Sequence, residues 1–304
     1  MFKQFPSWII LVTVLPGLQA CTSLPKVELD AYLSASQNVE AVTNGVLDRV
    51  VPYERAVVRA AVTGSAPGLP PICTITSGGT APYCYAARSG YAAVGDPPLV
   101  GAYRGLGDVV ARFNTVLIAY ADGVTFKLAS QELARFSNAA KQIAAVPSPI
   151  SVQTGAAIGG IDQALTAIGP LASLALGVSD RAELRRFVLE NHAVLDKALA
   201  AMSQNSNELY GTVVTGTNIL ASERIGQTKA LQERRNAMRG IIAGWAVLLD
   251  DQRRLLSELH SAIEDPDALE TRVRNLNQAT VGTRVDARIV ARQLSALGGL
   301  PSAP

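Results

Sequence analysis

The chain has 304 residues and a formal net charge of +2 at pH 7. This charge is too close to neutrality to favour nucleic acid or another acidic polymer as a partner. Aromatic residues make up only 5% of the chain, so large stacking surfaces are not expected. Charged residues make up 17%, and the many alanines and valines are typical of closely packed helices.

The first twenty residues have the features of an export signal. Lys3 supplies a positive charge, and a short apolar run from Trp8 to Leu15 follows it. That run is far shorter than the ~20 residues that a membrane-spanning helix needs. We therefore assign residues 1–20 to a cleavable signal peptide.

The signal ends in the tetrad Leu18-Gln19-Ala20-Cys21. The tetrad resembles the lipobox of type II signal peptides, in which a leucine and a small residue precede an invariant cysteine. Gln19 is larger than usual at its position. The resemblance to bacterial lipoproteins implies cleavage after Ala20, a diacylglyceryl thioether on Cys21 and a fatty amide, such as palmitate, on the new N-terminus. Several acyl chains would make this anchor permanent. The alternative is an ordinary secretory signal whose cysteine lies near the cleavage site by chance.

The residue after the cysteine bears on the membrane that holds the anchor. In Gram-negative lipoproteins an aspartate at this position commonly retains the protein in the inner membrane, so Thr22 favours the outer membrane, with the protein facing the periplasm. Residues 21–28 would form the anchored linker. Lipidation of Cys21 leaves Cys73 and Cys84 as a pair, and we expect a disulfide between them in an oxidising compartment. The alternative is two free buried thiols.

The first predicted helix begins near Leu29 and ends at Gly64. Apolar or small residues recur in steps of three and four, as in long helical bundles: Leu29, Tyr32, Ser36, Val39, Thr43, Val46, Val50, Tyr53, Val57 and Ala60. Pro52 predicts a bend within this helix. Residues 64–98 are rich in Gly, Pro, Ser and Thr, so we expect a loop or a short hairpin stapled by the disulfide.

The middle of the chain predicts further helices. The spacing of apolar residues predicts one helix from Leu99 to Val146, about 70 Å long, which would make the body a rod. Residues 150–178 are mainly Gly, Ala, Ile and Leu. We expect a buried central helix there, with a membrane-inserting segment as the alternative.

The last third of the chain repeats the helical pattern. Asp180 and Glu183 predict the start of a helix, which we expect to break near residues 210–218, where Gly and Thr are poor helix formers. Further helices are predicted around Met238 to Ile263 and up to Leu297, before a flexible tail at residues 299–304. The predicted fold is all-α, an elongated antiparallel bundle of coiled-coil-like helices over residues 29–298.

Residue patterns that carry catalysis are scarce. No phosphate-binding Gly-Lys-Ser/Thr loop or Gly-x-Ser-x-Gly turn occurs in the sequence. His192 with Asp196 one turn later could help to bind a metal, but core packing is the commoner role. His260 lies in a charged stretch and needs no special role. We therefore predict a protein that is not an enzyme, with no metal, no cofactor and no catalytic residue.

Three classes of function remain open. The leading hypothesis is a scaffold or interaction protein of the cell envelope, held to the membrane by its lipid and bound to an envelope protein. Arg284, Arg288 and Arg292 could form a basic stripe for lipid headgroups or a partner, although a solvated helix face is the simpler interpretation. The second is a ligand-binding or sensing module, with Tyr103, Tyr120 or Trp245 near a cavity. The third is a membrane-active bundle that inserts residues 150–178.

Overall fold

The computed structural model describes residues 24–63, 95–144, 159–223, 228–265 and 268–298. Within these ranges the regular structure is entirely α-helical and contains no strand, which confirms the predicted all-α class. The helices are α1 Lys26–Thr63, α2 Pro98–Ala121, α3 Phe126–Ala144, α4 Gly159–Ile168, α5 Leu171–Leu176, α6 Arg181–Gln204, α7 Ser206–Glu223, α8 Thr228–Glu264 and α9 Leu269–Gly298. The predicted signal, Cys21, the Cys73–Cys84 disulfide and the tail lie outside the described residues.

Helix α1 lies at the centre of the bundle and packs against α2, α7, α8 and α9. The prediction for its buried stripe is confirmed, because every residue of the predicted seam from Leu29 to Ala60 is buried. Pro52 lies on the exposed side, and the helix continues through it to Thr63. At 1.5 Å per residue, α1 is about 57 Å long.

The long helices do not alternate strictly in direction. Tyr32 lies beside Asn114 and Asn44 beside Arg104, so α2 runs antiparallel to α1. Helix α9, in contrast, runs parallel to α1, since Gly45 faces Leu294 and Arg49 faces Gly298. The purely antiparallel arrangement predicted from the sequence is therefore wrong for this pair.

The single helix predicted from Leu99 to Val146 is wrong. Helix α2 ends at Ala121, and Gly123 has a φ of 69°, a left-handed conformation that ends helices and favours glycine. Helix α3 then folds back along α2, so that the rings of Phe113 and Phe136 lie 5.9 Å apart. This part of the chain is a helical hairpin and not a rod of about 70 Å.

The predicted central helix in residues 150–178 is also wrong. The described part, from residue 159, contains the short helices α4 and α5, and Pro170 separates them. One face is buried between α3 and α6, whereas Leu174 and Leu176 are more than half exposed. None of the described helices combines the length and the apolar character that crossing a bilayer requires.

The predicted cap of α6 is confirmed. The side chain of Asp180 accepts a hydrogen bond from the backbone N of Glu183 at 2.8 Å, and the Glu183 carboxylate accepts one from the backbone N of Ser179 at 2.7 Å.

The helical break predicted near residues 210–218 comes earlier in the chain. Helix α6 ends at Gln204 and α7 begins at Ser206, since Asn205 caps α6 with its side chain on the Ala201 carbonyl.

Candidate ligand-binding cavity

A cavity of about 400 Å³ lies between α1, α2, α6 and α8. Helices α1 and α2 supply most of the polar wall, and α6 and α8 supply a mainly apolar one. The lining residues are Ser36, Val39, Glu40, Thr43, Asn44, Asp96, Gly101, Arg104, Gly105, Gly107, Asp108, Val110, Ala111, Asn114, Leu199, Met202, Leu249 and Gln252.

One end of the cavity is a buried network of polar side chains. The hydroxyl of Tyr32 donates to Oδ1 of Asn114 at 2.8 Å, and Nδ2 of Asn114 donates to Oγ of Ser36 at 2.8 Å. Nε2 of Gln252 reaches the same Oγ at 3.4 Å. All four side chains are buried. Three helices therefore meet at a polar cluster inside an otherwise apolar core.

This network leaves Gln252 incompletely paired. The residue is 2% exposed, and its Oε1 has no hydrogen-bond partner among the described residues. Turning the amide by 180° would exchange the two atoms and leave Nε2 unpaired instead. A buried polar atom without a partner costs about 1–3 kcal/mol. The wall of the cavity thus holds a buried polar group that lacks a hydrogen-bond partner among the described residues.

The opposite rim carries charged side chains, of which Arg104 is firmly held. Its guanidinium donates to Asp96 at 2.7 Å, to Asp48 at 2.8 Å and to Oδ1 of Asn44 at 2.8 Å. Arg112 lies 3.4 Å from Asp108 in a second, looser ion pair. The guanidinium of Arg104 is therefore matched by two carboxylates of this protein.

Glu40 is the rim carboxylate without an ion pair within the described residues. It is half-buried beside Asp108. Burial raises the pKa of Glu40, the charge of Asp108 raises it further, and Arg112 opposes the rise. Among the residues that line the cavity, the acidic Glu40, Asp96 and Asp108 outnumber the basic Arg104, so the described rim carries an excess of negative charge.

Of the aromatic residues expected near a cavity, Trp245 is the one tied to this site. Its indole Nε1 donates to Oγ1 of Thr43 at 2.9 Å, and Thr43 lines the cavity. Tyr103 packs behind it, with ring centroids 5.8 Å apart, and donates its hydroxyl to the carbonyl of Asn205. Tyr120 lies elsewhere, under the guanidinium of Arg181.

The two histidines meet, which the sequence analysis did not predict. The rings of His192 and His260 are stacked, with centroids 3.5 Å apart, and both contact the carbonyl of Leu189. Asp196 is not available to act with His192 in binding a metal, because both of its carboxylate oxygens accept hydrogen bonds from Arg253. The pKa of His260 is lowered by burial and by the neighbouring His192. In the described parts of the chain, no group of three or more His, Cys, Asp or Glu residues could hold a metal ion.

The predicted arginine stripe lies on the outer face of α9. Arg284, Arg288 and Arg292 make no ion pair within the described ranges, whereas Asp286 turns towards Asp251 of α8. The acidic residue within the stripe thus lies near α8 and not among the arginines. Apolar side chains accompany the arginines on this face and are largely exposed: Val281, Val285 and Ile289.

The predicted seam of α1 includes Ser36 and Thr43, and the helix predicted around Met238 to Ile263 includes Gln252, but none of the three was given a role. The signal was present, since each is a polar residue at a seam position where the neighbouring turns carry apolar ones. Asn114 was not singled out at all. A polar residue at a seam position predicts either a buried pair or a site, and only the assembled bundle distinguishes the two.

Comparison of the chain with protein-family models, curated proteins and solved structures finds no match. The chemistry of the cavity and of the exposed α9 face is therefore the basis for a functional proposal. The cavity is the stronger of the two, because its wall contains a buried polar atom that lacks a partner among the described residues.

Proposed function

We propose that this protein is a lipid-anchored, non-enzymatic binding protein of the cell envelope, and that its helical bundle holds a small ligand in the cavity between α1, α2, α6 and α8. The observation that carries the proposal is the side-chain amide of Gln252, which is buried in the cavity wall and has one atom without a partner among the described residues. A bound ligand that hydrogen-bonds to this amide would remove its cost.

The size and composition of the cavity support this function. Ligand sites are usually clefts of about 300–1,000 Å³ with apolar walls and a few polar groups that fix orientation, and this cavity is about 400 Å³. Val39, Leu199, Met202 and Leu249 supply the apolar surface. Gln252 and the rim residues supply the polar groups.

The anchor places this bundle close to a membrane. The lipobox resemblance of residues 18–21 supports lipidation of Cys21, most simply at the periplasmic face of the outer membrane. Helix α1 begins at Lys26, so few residues separate the lipid from the bundle. The Cys73–Cys84 disulfide belongs to the same proposal, since an oxidising compartment would favour it.

Thermal unfolding of the full chain against a library of small metabolites tests the binding function. We expect at least one compound to raise the Tm of the wild type and to have no effect on Gln252→Leu, which keeps a similar volume but removes the amide. Gln278→Leu, on the exposed face of α9, is the matched control and should respond like the wild type. The proposal fails if no compound raises the Tm, or if every active compound acts equally on Gln252→Leu.

The outer face of α9 supports a second candidate, a protein-interaction function of the scaffold type. Val281, Val285 and Ile289 recur every four residues and are 62%, 48% and 44% exposed, with the three arginines beside them. An apolar row flanked by cations that make no ion pair within the described residues complements an acidic amphipathic helix of an envelope partner.

Site-specific photocrosslinking in intact cells tests this candidate. A photoreactive residue at Val285 should capture one protein through an acidic helical segment, and the double variant Arg284→Glu with Arg288→Glu should abolish capture. The same photoreactive residue at Leu128, exposed on α3, is the control and should not capture that protein. Crosslinking to lipid alone, or capture that survives the charge reversal, would contradict a docked acidic helix.

A further inference from the structure

We infer that the ligand of the cavity is a small organic cation, an amine with a short apolar body and a hydroxyl group at its far end. This inference rests on the proposed binding function and adds the chemical class of the ligand. Three regions of the cavity carry it: the rim around Glu40, the apolar middle and the polar end at Gln252.

The rim selects for positive charge. Glu40 lines the cavity, is half-buried and has no ion pair within the described chain. Asp108 shares the rim and is held by Arg112 at 3.4 Å. An ammonium group placed between the two carboxylates would relieve their mutual repulsion and replace the water that Glu40 has lost on burial.

Among the described residues, both arginines near this rim are already paired with carboxylates of the protein, Arg104 closely and Arg112 at 3.4 Å. The guanidinium of Arg104 is committed to Asp96, Asp48 and Asn44 at 2.7–2.8 Å. A carboxylate or phosphate would have to break these contacts and would also approach Glu40. Like charges brought together in a partly buried site repel each other, so the rim discriminates against anions.

The middle of the cavity fits an apolar chain. Val39 and Val110 face it from α1 and α2, and Leu199, Met202 and Leu249 face it from α6 and α8. No charged residue of α6 or α8 lines the cavity. Met202 adds a flexible side chain that adapts to the shape of its contacts. A polyvalent cation such as a metal ion would leave this surface unused.

The far end calls for a group that can both donate and accept a hydrogen bond. A hydroxyl satisfies the unpaired atom of Gln252 whichever way the amide is turned, because it accepts from Nε2 or donates to Oε1. Ser36, which contacts Gln252, lies one helical turn from Glu40, a separation of about 6 Å. The ammonium and the hydroxyl are therefore joined by a chain of only a few carbons.

A matched set of probes tests the inference: 5-aminopentan-1-ol, the neutral 1,5-pentanediol and the anionic 5-hydroxypentanoate. Of the two tryptophans in the sequence, Trp8 lies in the proposed signal peptide, so the mature protein reports the fluorescence of Trp245 alone, which bonds to the cavity residue Thr43. We expect the amine to change this fluorescence saturably in the millimolar range suited to so small a ligand. The diol should bind at least ten-fold more weakly, and the hydroxy acid should not bind.

Two variants separate charge recognition from a general effect. Glu40→Gln should weaken the amine at least ten-fold and abolish its advantage over the diol. Glu223→Gln, exposed at the end of α7, should leave amine binding unchanged.

The outcomes distinguish the inference from the function on which it rests. The diol or the hydroxy acid could bind as strongly as the amine and depend on Gln252. That result would overturn the inference that the ligand is a cation and would leave the proposed binding function intact. If the amine gives no response but some library compounds bind through Gln252, the cation is likewise excluded and the binding function is retained. No response to any probe or library compound would overturn both.

Discussion

Glu54 of α1 caps helix α2: its Oε1 accepts a hydrogen bond from the backbone N of Leu99 at 2.6 Å, and its Oε2 accepts one from Val100 at 2.9 Å. Pro97 provides no side-chain cap for α2, and Pro98 has no N–H. The first N–H groups of the helix that require an acceptor are therefore those of Leu99 and Val100. Glu54 is 1% exposed. A carboxylate from one helix thus completes the end of another and fixes α2, which forms one wall of the cavity.

The ionisation of Glu54 should make stability depend on pH. Burial raises its pKa to about 7, although the two backbone hydrogen bonds oppose the rise. A raised pKa means that the contribution to stability is full below the unfolded pKa of about 4.5 and is lost as the pH rises through about 7. Between pH 5 and pH 8 the wild type should lose roughly 2 kcal/mol from this group.

Glu54→Gln removes that titration. We expect the difference in unfolding free energy between the variant and the wild type to shift by roughly 2 kcal/mol in favour of the variant from pH 5 to pH 8. Urea unfolding at the two pH values measures it, with Glu223→Gln as the exposed control. A difference that stays constant across this range would show that Glu54 does not titrate there.

The local parts of this fold could be predicted from the sequence. The seam of α1 and the Asp180 cap were correct because they depend on spacing along one helix. The turn at Gly123 was missed because apolar residues continue in helical steps on both sides of it. The pairing of His192 with His260, and the cavity at Gln252, arise only when distant helices are packed together.

The contact of α7 with α1 depends on a glycine. A Cβ on Gly216 would lie 2.5 Å from the carbonyl oxygen of Tyr53 and 2.7 Å from its Cα, so the two backbones would have to separate. We expect Gly216→Ala to destabilise the protein by about 1–3 kcal/mol. Gly211 lies on the same helix with nothing near its missing side chain.

The matched variant Gly211→Ala should have the opposite effect and stabilise the protein by up to ~1 kcal/mol, because alanine is the better helix former. Thermal and urea unfolding of both variants provide the measurement. Equal effects of the two substitutions would show that the close approach at Tyr53 is not required.

Asp251 and Asp286 form a carboxyl pair between α8 and α9. Burial raises the pKa of Asp251 to about 6, and the neighbouring Asp286 adds to the rise, whereas the charge of Arg254 opposes it. The stability from this group is full below about pH 4 and is lost as the pH rises through about 6. Asp286→Asn should therefore stabilise the protein at pH 8 by about 1 kcal/mol and change little at pH 4.

A double-mutant cycle with Asp251→Asn isolates the interaction of these two carboxyl groups. The gain from Asp286→Asn at pH 8 should vanish when Asp251 is already an amide. A gain of the same size in both backgrounds would assign the effect to Asp286 alone.

The stacked His192 should influence the protonation of His260. Burial and the charge of His192 lower the pKa of His260, against the effects of the Leu189 carbonyl and Glu264. Stability from His260 is therefore present above pH 6.5 and is lost as the pH falls through its lowered pKa. In His192→Phe the ring stacking is kept and the charge is removed, so the pKa of His260 should rise but stay below 6.5.

NMR titration of the full chain measures this pKa directly. The chain has two histidines, so the variant shows a single imidazole signal and needs no assignment. Tyr120→Phe, distant from the pair, is the control. An unchanged pKa in His192→Phe would mean that burial alone sets the value.

Gln252 and Ser36 touch each other but should respond to substitution in opposite ways. Ser36 Oγ is contacted by the side-chain amides of both Asn114 and Gln252, so Ser36→Ala leaves two more polar atoms unpaired and should destabilise the ligand-free protein by about 1–3 kcal/mol. Gln252→Leu removes an atom that is already unpaired, and it should raise stability by up to ~1 kcal/mol while abolishing ligand binding. Urea unfolding of the ligand-free chain compares the two. A residue that is present for ligand binding lowers stability when the site is empty. A loss of stability in Gln252→Leu as large as in Ser36→Ala would therefore mean that Gln252 stabilises the core and does not bind a ligand.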